Sequence, residues 1–136
     1  MTYKADFIVE DGVLHVRLDG QFPPELLHAP GNVFTPFIDA CAEHGSCKVL
    51  FDARHLEVKL DTVKIFRAGV DAALACHAGL RMAFVARKDM IDSFFEEVAR
   101  NRGALIGVFT DFDKAGEWLA KQQVPAGARR AVHAGS

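Results

Sequence analysis

Lys48-Val49-Leu50-Phe51-Asp52 decides the fold. Its three central residues are apolar with no polar alternate, the pattern of a strand covered on both faces, and such strands occur in parallel sheets flanked by helices. Two further segments, Arg81 to Ala86 and Ala104 to Phe109, read the same way. Each of the three is followed by a stretch of helical periodicity, and strand alternating with helix is the signature of an α/β fold.

The helices carry their own boundaries. After the first apolar strand, Asp61 or Thr62 supplies a capping oxygen, and Val63, Phe66, Val70, Ala73, Leu74 and His77 recur at helical spacing until Gly79. Asp92 or Ser93 caps the next helix, in which Phe94, Phe95, Val98 and Ala99 face inward, Glu96 and Arg100 stand at i,i+4, and Gly103 ends the run. Asp111 or Asp113 caps the last, with Phe112, Ala115, Trp118 and Leu119 as its buried stripe. Upstream, Val33 to His44 reads as a helix closed by Gly45, with Pro36 in its first turn.

The chain begins differently. Phe7-Ile8-Val9, a turn at Glu10-Asp11-Gly12, and Val13 to Leu18 form an antiparallel hairpin, because Leu14, Val16 and Leu18 alternate with Val13, His15 and Arg17. Gly20 to Gly31, with Pro23, Pro24 and Pro30, is a connection. The expected order is therefore ββαβαβαβα, a mixed sheet with an N-terminal antiparallel hairpin and parallel βα units. Residues 1–122 make one domain. Residues 123–136, dominated by Ala, Gly and Arg, read as a mobile tail.

Composition narrows the functional classes. The 136 residues are half hydrophobic, enough for an ordinary core without a disulfide or metal staple. Sixteen Lys and Arg against 18 Asp and Glu give a net charge of -2, which provides no field to hold a nucleic acid. Three cysteines and a start without a basic segment and apolar run point to a reduced, cytoplasmic protein. No apolar stretch approaches the roughly 20 residues that cross a bilayer.

Val98-Ala99-Arg100-Asn101-Arg102-Gly103, followed by Val108-Phe109-Thr110-Asp111 and Ala115-Gly116-Glu117-Trp118-Leu119, resembles the SpoIIAA-like family of the STAS group, and in particular the bacterial STAS/SEC14-type proteins. The resemblance spans about Phe7 to Lys121. It implies a small mixed sheet flanked by helices, and a regulatory or binding role rather than catalysis. In the anti-sigma factor antagonists of that group, an Asp-Ser-Ser/Thr-Gly motif opens the helix after the third strand and carries a phosphorylated serine. The matching residues here are Asp61-Thr62-Val63-Lys64, so Thr62 is a candidate phosphorylation site, while Val63 and Lys64 depart from the pattern. A phosphate at a helix N-terminus is electrostatically favourable, and a plain cap is the competing reading.

Parallel sheets bind ligands beyond the carboxyl ends of their strands. Those ends carry Asp52, Arg54, His55, Arg87, Lys88, Thr110 and Asp111, a candidate site for an anionic group, or else a solvated rim of balanced charges. Phe22, Phe34 and Phe37 lie in or beside the proline-rich connection and are candidates for an apolar pocket or an oligomer contact. Cys41, His44 and Cys47 have poor zinc spacing, so Cys41 is expected in the core, His44 in solvent, and no metal or cofactor is expected. Cys76 and His77 are neighbours in sequence and so point apart on a helix. No nucleophile elbow, phosphate loop or dinucleotide fingerprint occurs.

Two binding functions stand ahead of any enzyme. One is a protein-interaction module, a homodimer or the docking partner of another protein, acting through the exposed side of the sheet or the surface of the second helix. The other is a carrier or sensor of an apolar, lipid-like or anionic ligand, suggested by eleven phenylalanines and by the distant likeness of the STAS/SEC14 group to lipid-binding CRAL-TRIO domains.

Overall fold

The computed structural model describes residues 3–27, 31–90 and 93–122. The expected tail, 123–136, and the candidate cap Asp92 lie outside the described residues. Among the described residues, five strands and four helices follow the expected order: β1 (Lys4–Glu10), β2 (Val13–Gln21), α1 (Thr35–His44), β3 (Lys48–Glu57), α2 (Thr62–His77), β4 (Arg81–Val85), α3 (Ser93–Asn101), β5 (Ile106–Phe109) and α4 (Phe112–Ala120). Pro24–Leu27 and Lys88–Met90 form short 3-10 turns.

Strand order in the sheet is that of the chain, β1-β2-β3-β4-β5. The β1-β2 pair is antiparallel and the other three pairs are parallel. Asp11 and Gly12 turn the hairpin with φ of 53° and 75°, the left-handed backbone that a two-residue hairpin loop requires and that Asp and Gly tolerate best.

The faces of the sheet carry separate cores. Leu14, Val16, Val49, Phe51, Met82 and Ile106 point to α1, α2 and α3, where Phe37, Cys41, Ala72, Ala75 and Ala99 meet them. Leu50, Ala83 and Val85 point the other way, to Ala115 and Leu119 of α4. Leu14, Val16 and Leu18 are buried, so the alternation in β2 sets its inner face as expected.

Two expectations need correcting. β3 does not stop at Asp52 but continues to Glu57, because a register shift between Arg17 and Asp19 lets β2 accompany it past the end of β4. The stripe read along α2 coincides with its buried face only at Ala73, with Val70 half-buried. Val63 is 73% and Leu74 56% exposed, and Phe66 is also exposed, whereas Gly69, Ala72, Ala73, Ala75 and Cys76 are buried. These small residues lie about a third of a turn away from the large ones and let α2 approach its neighbours closely. A Cβ on Gly69 would stand 2.7 Å from Val98 Cγ1, so α3 packs where only glycine leaves room.

Candidate functional site: an apolar cavity and a charged strand-end rim

Phe51 and Phe84, opposite each other on β3 and β4, stack with ring centres 4.7 Å apart. Phe37 of α1 meets Phe51 edge-on at 4.8 Å, Phe34 stands 6.0 Å from Phe51, and Phe95 of α3 meets Phe84 at 5.5 Å. Phe7 of β1 extends the chain of rings, 5.6 Å from Phe37. Rings pack by edges and faces at fixed spacings and do not close like aliphatic chains. Where small residues such as Ala53, Ala68 and Ala86 intervene, a cavity of about 520 Å³ remains, further walled by Phe22, Leu26, Leu27, Leu56 and Ile65.

Its described walls are apolar apart from Tyr3 and Asp89. Burial raises the Tyr3 phenol above its ordinary range, so Tyr3 presents a neutral hydroxyl. The expected trio Phe22, Phe34 and Phe37 all line this space. Phe34 and Phe37 are buried, and Phe22, half-buried, meets Tyr3 edge-on at 5.6 Å.

The connection over the cavity is pinned at both ends. Phe22 N donates to Glu57 O at 2.8 Å. At the other end Val33 N donates to Asp71 Oδ2 at 3.0 Å, Asn32 Nδ2 to Asp71 O at 2.7 Å, and Arg67 Nε to Asp71 Oδ1 at 3.1 Å. Arg67 Nη2 also donates to Gly31 O at 2.7 Å. Asn32 Oδ1 accepts from Phe34 N at 2.7 Å, which organises the start of α1 in place of a side-chain cap on Phe34. Asp71, 3% exposed, is the hub of this clamp. Asn32, Arg67 and Asp71 were not among the residues singled out from sequence, although Arg67 and Asp71 stand at the i,i+4 spacing that pairs opposite charges on a helix.

The rim is brought together in part. Arg54 Nε and Nη2 donate to Asp52 Oδ1 and Oδ2, each at 2.8 Å, and the Arg54 guanidinium lies 5.5 Å over the Phe112 ring. That fork holds the Asp52 carboxyl below its usual range and the Arg54 guanidinium above its own. Arg87 Nη1 donates to Arg54 O at 2.9 Å, and its other nitrogens reach Glu57 at 3.3 Å and Asp89 at 3.4 Å. His55 and Lys88 are exposed. Thr110 is exposed at the end of β5, and the Asp111 carboxylate caps α4, accepting from Asp113 N at 2.9 Å and Lys114 N at 3.1 Å. Thr62 is the exposed first residue of α2, whose cap is Asp61 Oδ1 accepting from Lys64 N at 2.9 Å.

Among the described residues no three His, Cys, Asp or Glu side chains converge as a metal site. Cys41 and Cys47 are buried and His44 is exposed. Burial, with Cys47 nearby, pushes the Cys41 thiol up to about 12, and burial also raises that of Cys76, so neither is a ready nucleophile at neutral pH. Among the described residues no helix is long and apolar enough to cross a membrane.

A solved anti-sigma factor antagonist from Mycobacterium paratuberculosis superposes with a TM-score of 0.54, covering 88% of this chain and 96% of its own at 15% identity. The two share a fold. The architecture expected from the SpoIIAA-like resemblance, an antiparallel hairpin continued by parallel βα units, is therefore the one observed. No protein-family model matches the chain, and no curated protein matches it.

Proposed function

We propose that this chain is a non-catalytic binding module that seats a small apolar, lipid-like molecule between the sheet and the helices α1 and α2. The observation that carries this reading is the cavity of about 520 Å³ walled by aromatic and aliphatic side chains. That volume lies within the roughly 300–1,000 Å³ of small-molecule sites, and apolar walls with few polar groups are the usual chemistry of such sites. Displacing water from these walls is the driving force. The phenol of Tyr3 and the carboxylate of Asp89 are the polar groups that would orient a bound molecule. The test is titration with a neutral, environment-sensitive naphthylamine dye, alongside native mass spectrometry of the purified protein. We expect saturable binding of one equivalent, abolished in Ala68→Leu, which fills the cavity, with the circular dichroism spectrum retained. A dye that does not bind, or binds Ala68→Leu equally well, overturns the reading.

A second reading, regulation through a protein partner, is favoured by α2. Val63, Phe66 and Leu74 form an exposed apolar stripe at helical spacing, with Thr62 exposed at its start. The shared fold with an anti-sigma factor antagonist points the same way. On this reading a phosphate on Thr62 would place negative charge at the edge of the docking stripe and alter partner affinity. Loss of partner binding in Phe66→Asp, with dye binding intact, would separate this function from the first.

A further inference from the structure

β1 is an edge strand, and its backbone hydrogen bonds among the described residues are those of the ladder with β2. An edge with free amides and carbonyls is a template for another strand, and proteins blunt such edges by shortness, proline, bulges or charge. β1 runs for seven residues, Lys4-Ala5-Asp6-Phe7-Ile8-Val9-Glu10, with no proline, and of these devices carries charge, at Lys4, Asp6 and Glu10. Its centre is apolar and open to solvent, Ile8 being 64% exposed.

We propose that two copies of this chain pair antiparallel through their β1 edges about a two-fold axis at Phe7, continuing the sheet from one subunit into the next. The charge order selects both the partner and the register. Centred on Phe7, the pairing sets Lys4 of each copy opposite Glu10 of the other, Ala5 opposite Val9, and Asp6 opposite Ile8. Both ends of the strand are thereby satisfied by attraction. Centring on Asp6 would set Asp6 against Asp6, and centring on Ile8 would set Asp6 against Glu10. A parallel pairing would oppose Lys4 with Lys4 and Glu10 with Glu10. Centring on Ala5 also opposes Lys4 with Asp6 but pairs only three of the seven strand residues, so the Phe7 register is the complementary one that engages the whole of β1.

The aromatic core supports the same axis. Phe7 stands on the cavity side of β1 and lies 5.6 Å from Phe37, so a second Phe7 across the axis would extend the chain of rings between the two cavities. Lys4 and Asp6 pair at 3.5 Å within the strand, both well exposed, so Lys4 can turn to a second copy without unburying a charge. The inference concerns the edge and does not depend on what fills the cavity.

Size-exclusion chromatography with light scattering, read from low to high micromolar concentration, tests it. The full chain is expected to approach dimer mass. Lys4→Glu and Glu10→Lys, at exposed positions, should each weaken dimerisation about ten-fold, because each turns two exposed attractions into repulsions. The double variant Lys4→Glu/Glu10→Lys should restore the original association, since it exchanges the charges and keeps their complementarity. A chain that stays monomeric throughout overturns the proposal. So does a dimer indifferent to the single substitutions, or a double variant no better than the singles.

Discussion

The cavity and the strand-end rim adjoin at Asp89 and are built on opposite principles. On the cavity side, rings from β3, β4, α1 and α3 surround space, the polar groups of the walls are those of Tyr3 and Asp89, and the nearby Asp71 and Arg67 are engaged in a clamp that fixes the connection. At the rim the charges are strong but engaged. Arg54 grips Asp52, and Arg87 holds the Arg54 carbonyl, Glu57 and Asp89. An incoming anion would have to displace carboxylates already in place, whereas an apolar molecule has only water to displace from the cavity. Unused binding capacity therefore lies on the aromatic side.

Breaking the aromatic side should cost most. Phe51→Ala removes the ring that Phe34, Phe37 and Phe84 all touch, and is expected to lower unfolding free energy by about 3–5 kcal/mol in urea. A loss below about 1 kcal/mol would mean that these rings do not form the core. Asp71→Ala removes the carboxylate that accepts from Arg67 Nε and the Val33 amide, for a loss of roughly 2 kcal/mol, and should increase proteolysis in the connection before α1. Clamp and cavity are coupled if dye affinity falls in Asp71→Ala, and Asn32→Ala, which removes the hydrogen bonds to Asp71 O and from Phe34 N, should have a smaller effect.

Titration sharpens the contrast. The folded Cys41 thiol keeps its proton up to about pH 12, above where an unfolded thiol ionises, so this group's contribution is complete at neutral pH and fades as pH rises from the ordinary thiol range towards that value. Cys41→Ala should flatten that alkaline decline. Asp52 runs the opposite way. Its folded carboxyl is lowered, so its contribution is present above the ordinary carboxylate range and is lost as pH falls through the folded value. Arg54→Gln should abolish that acid-side increment. At neutral pH it should change stability by less than about 1 kcal/mol, since the Arg54 side chain is 43% exposed and solvent screens its charge.

Much of this was legible in the chain. Continuous apolar runs at Val49-Leu50-Phe51 and Met82-Ala83-Phe84 mark buried parallel strands, and Asp61 and Asp111 act as the helix caps their positions suggest. Phe22, Phe34 and Phe37 lie in or beside the proline-rich connection in sequence and share one cavity wall in the fold. Less legible was α2. Reading periodicity favours large apolar residues, so the stripe of Val63, Phe66 and Leu74 stood out, although small residues, which permit close packing, form the buried face. Asp71 was hidden for a related reason, because an acidic residue on a helix reads as solvent-facing until its partners in another segment are known.

Local sequence settled the alternation of strands and helices, because period, caps and turn residues act over a few neighbours. It also settled the self-complementary charges of Lys4 and Glu10, which follow from strand spacing alone. Tertiary structure alone decided that β1 is the edge, that β2 and β3 outrun β4, that α2 shows its large residues to solvent, and that the phenylalanines leave space between them. Those outcomes depend on which surfaces meet across the whole chain, and the volume left between packed rings belongs to no single segment.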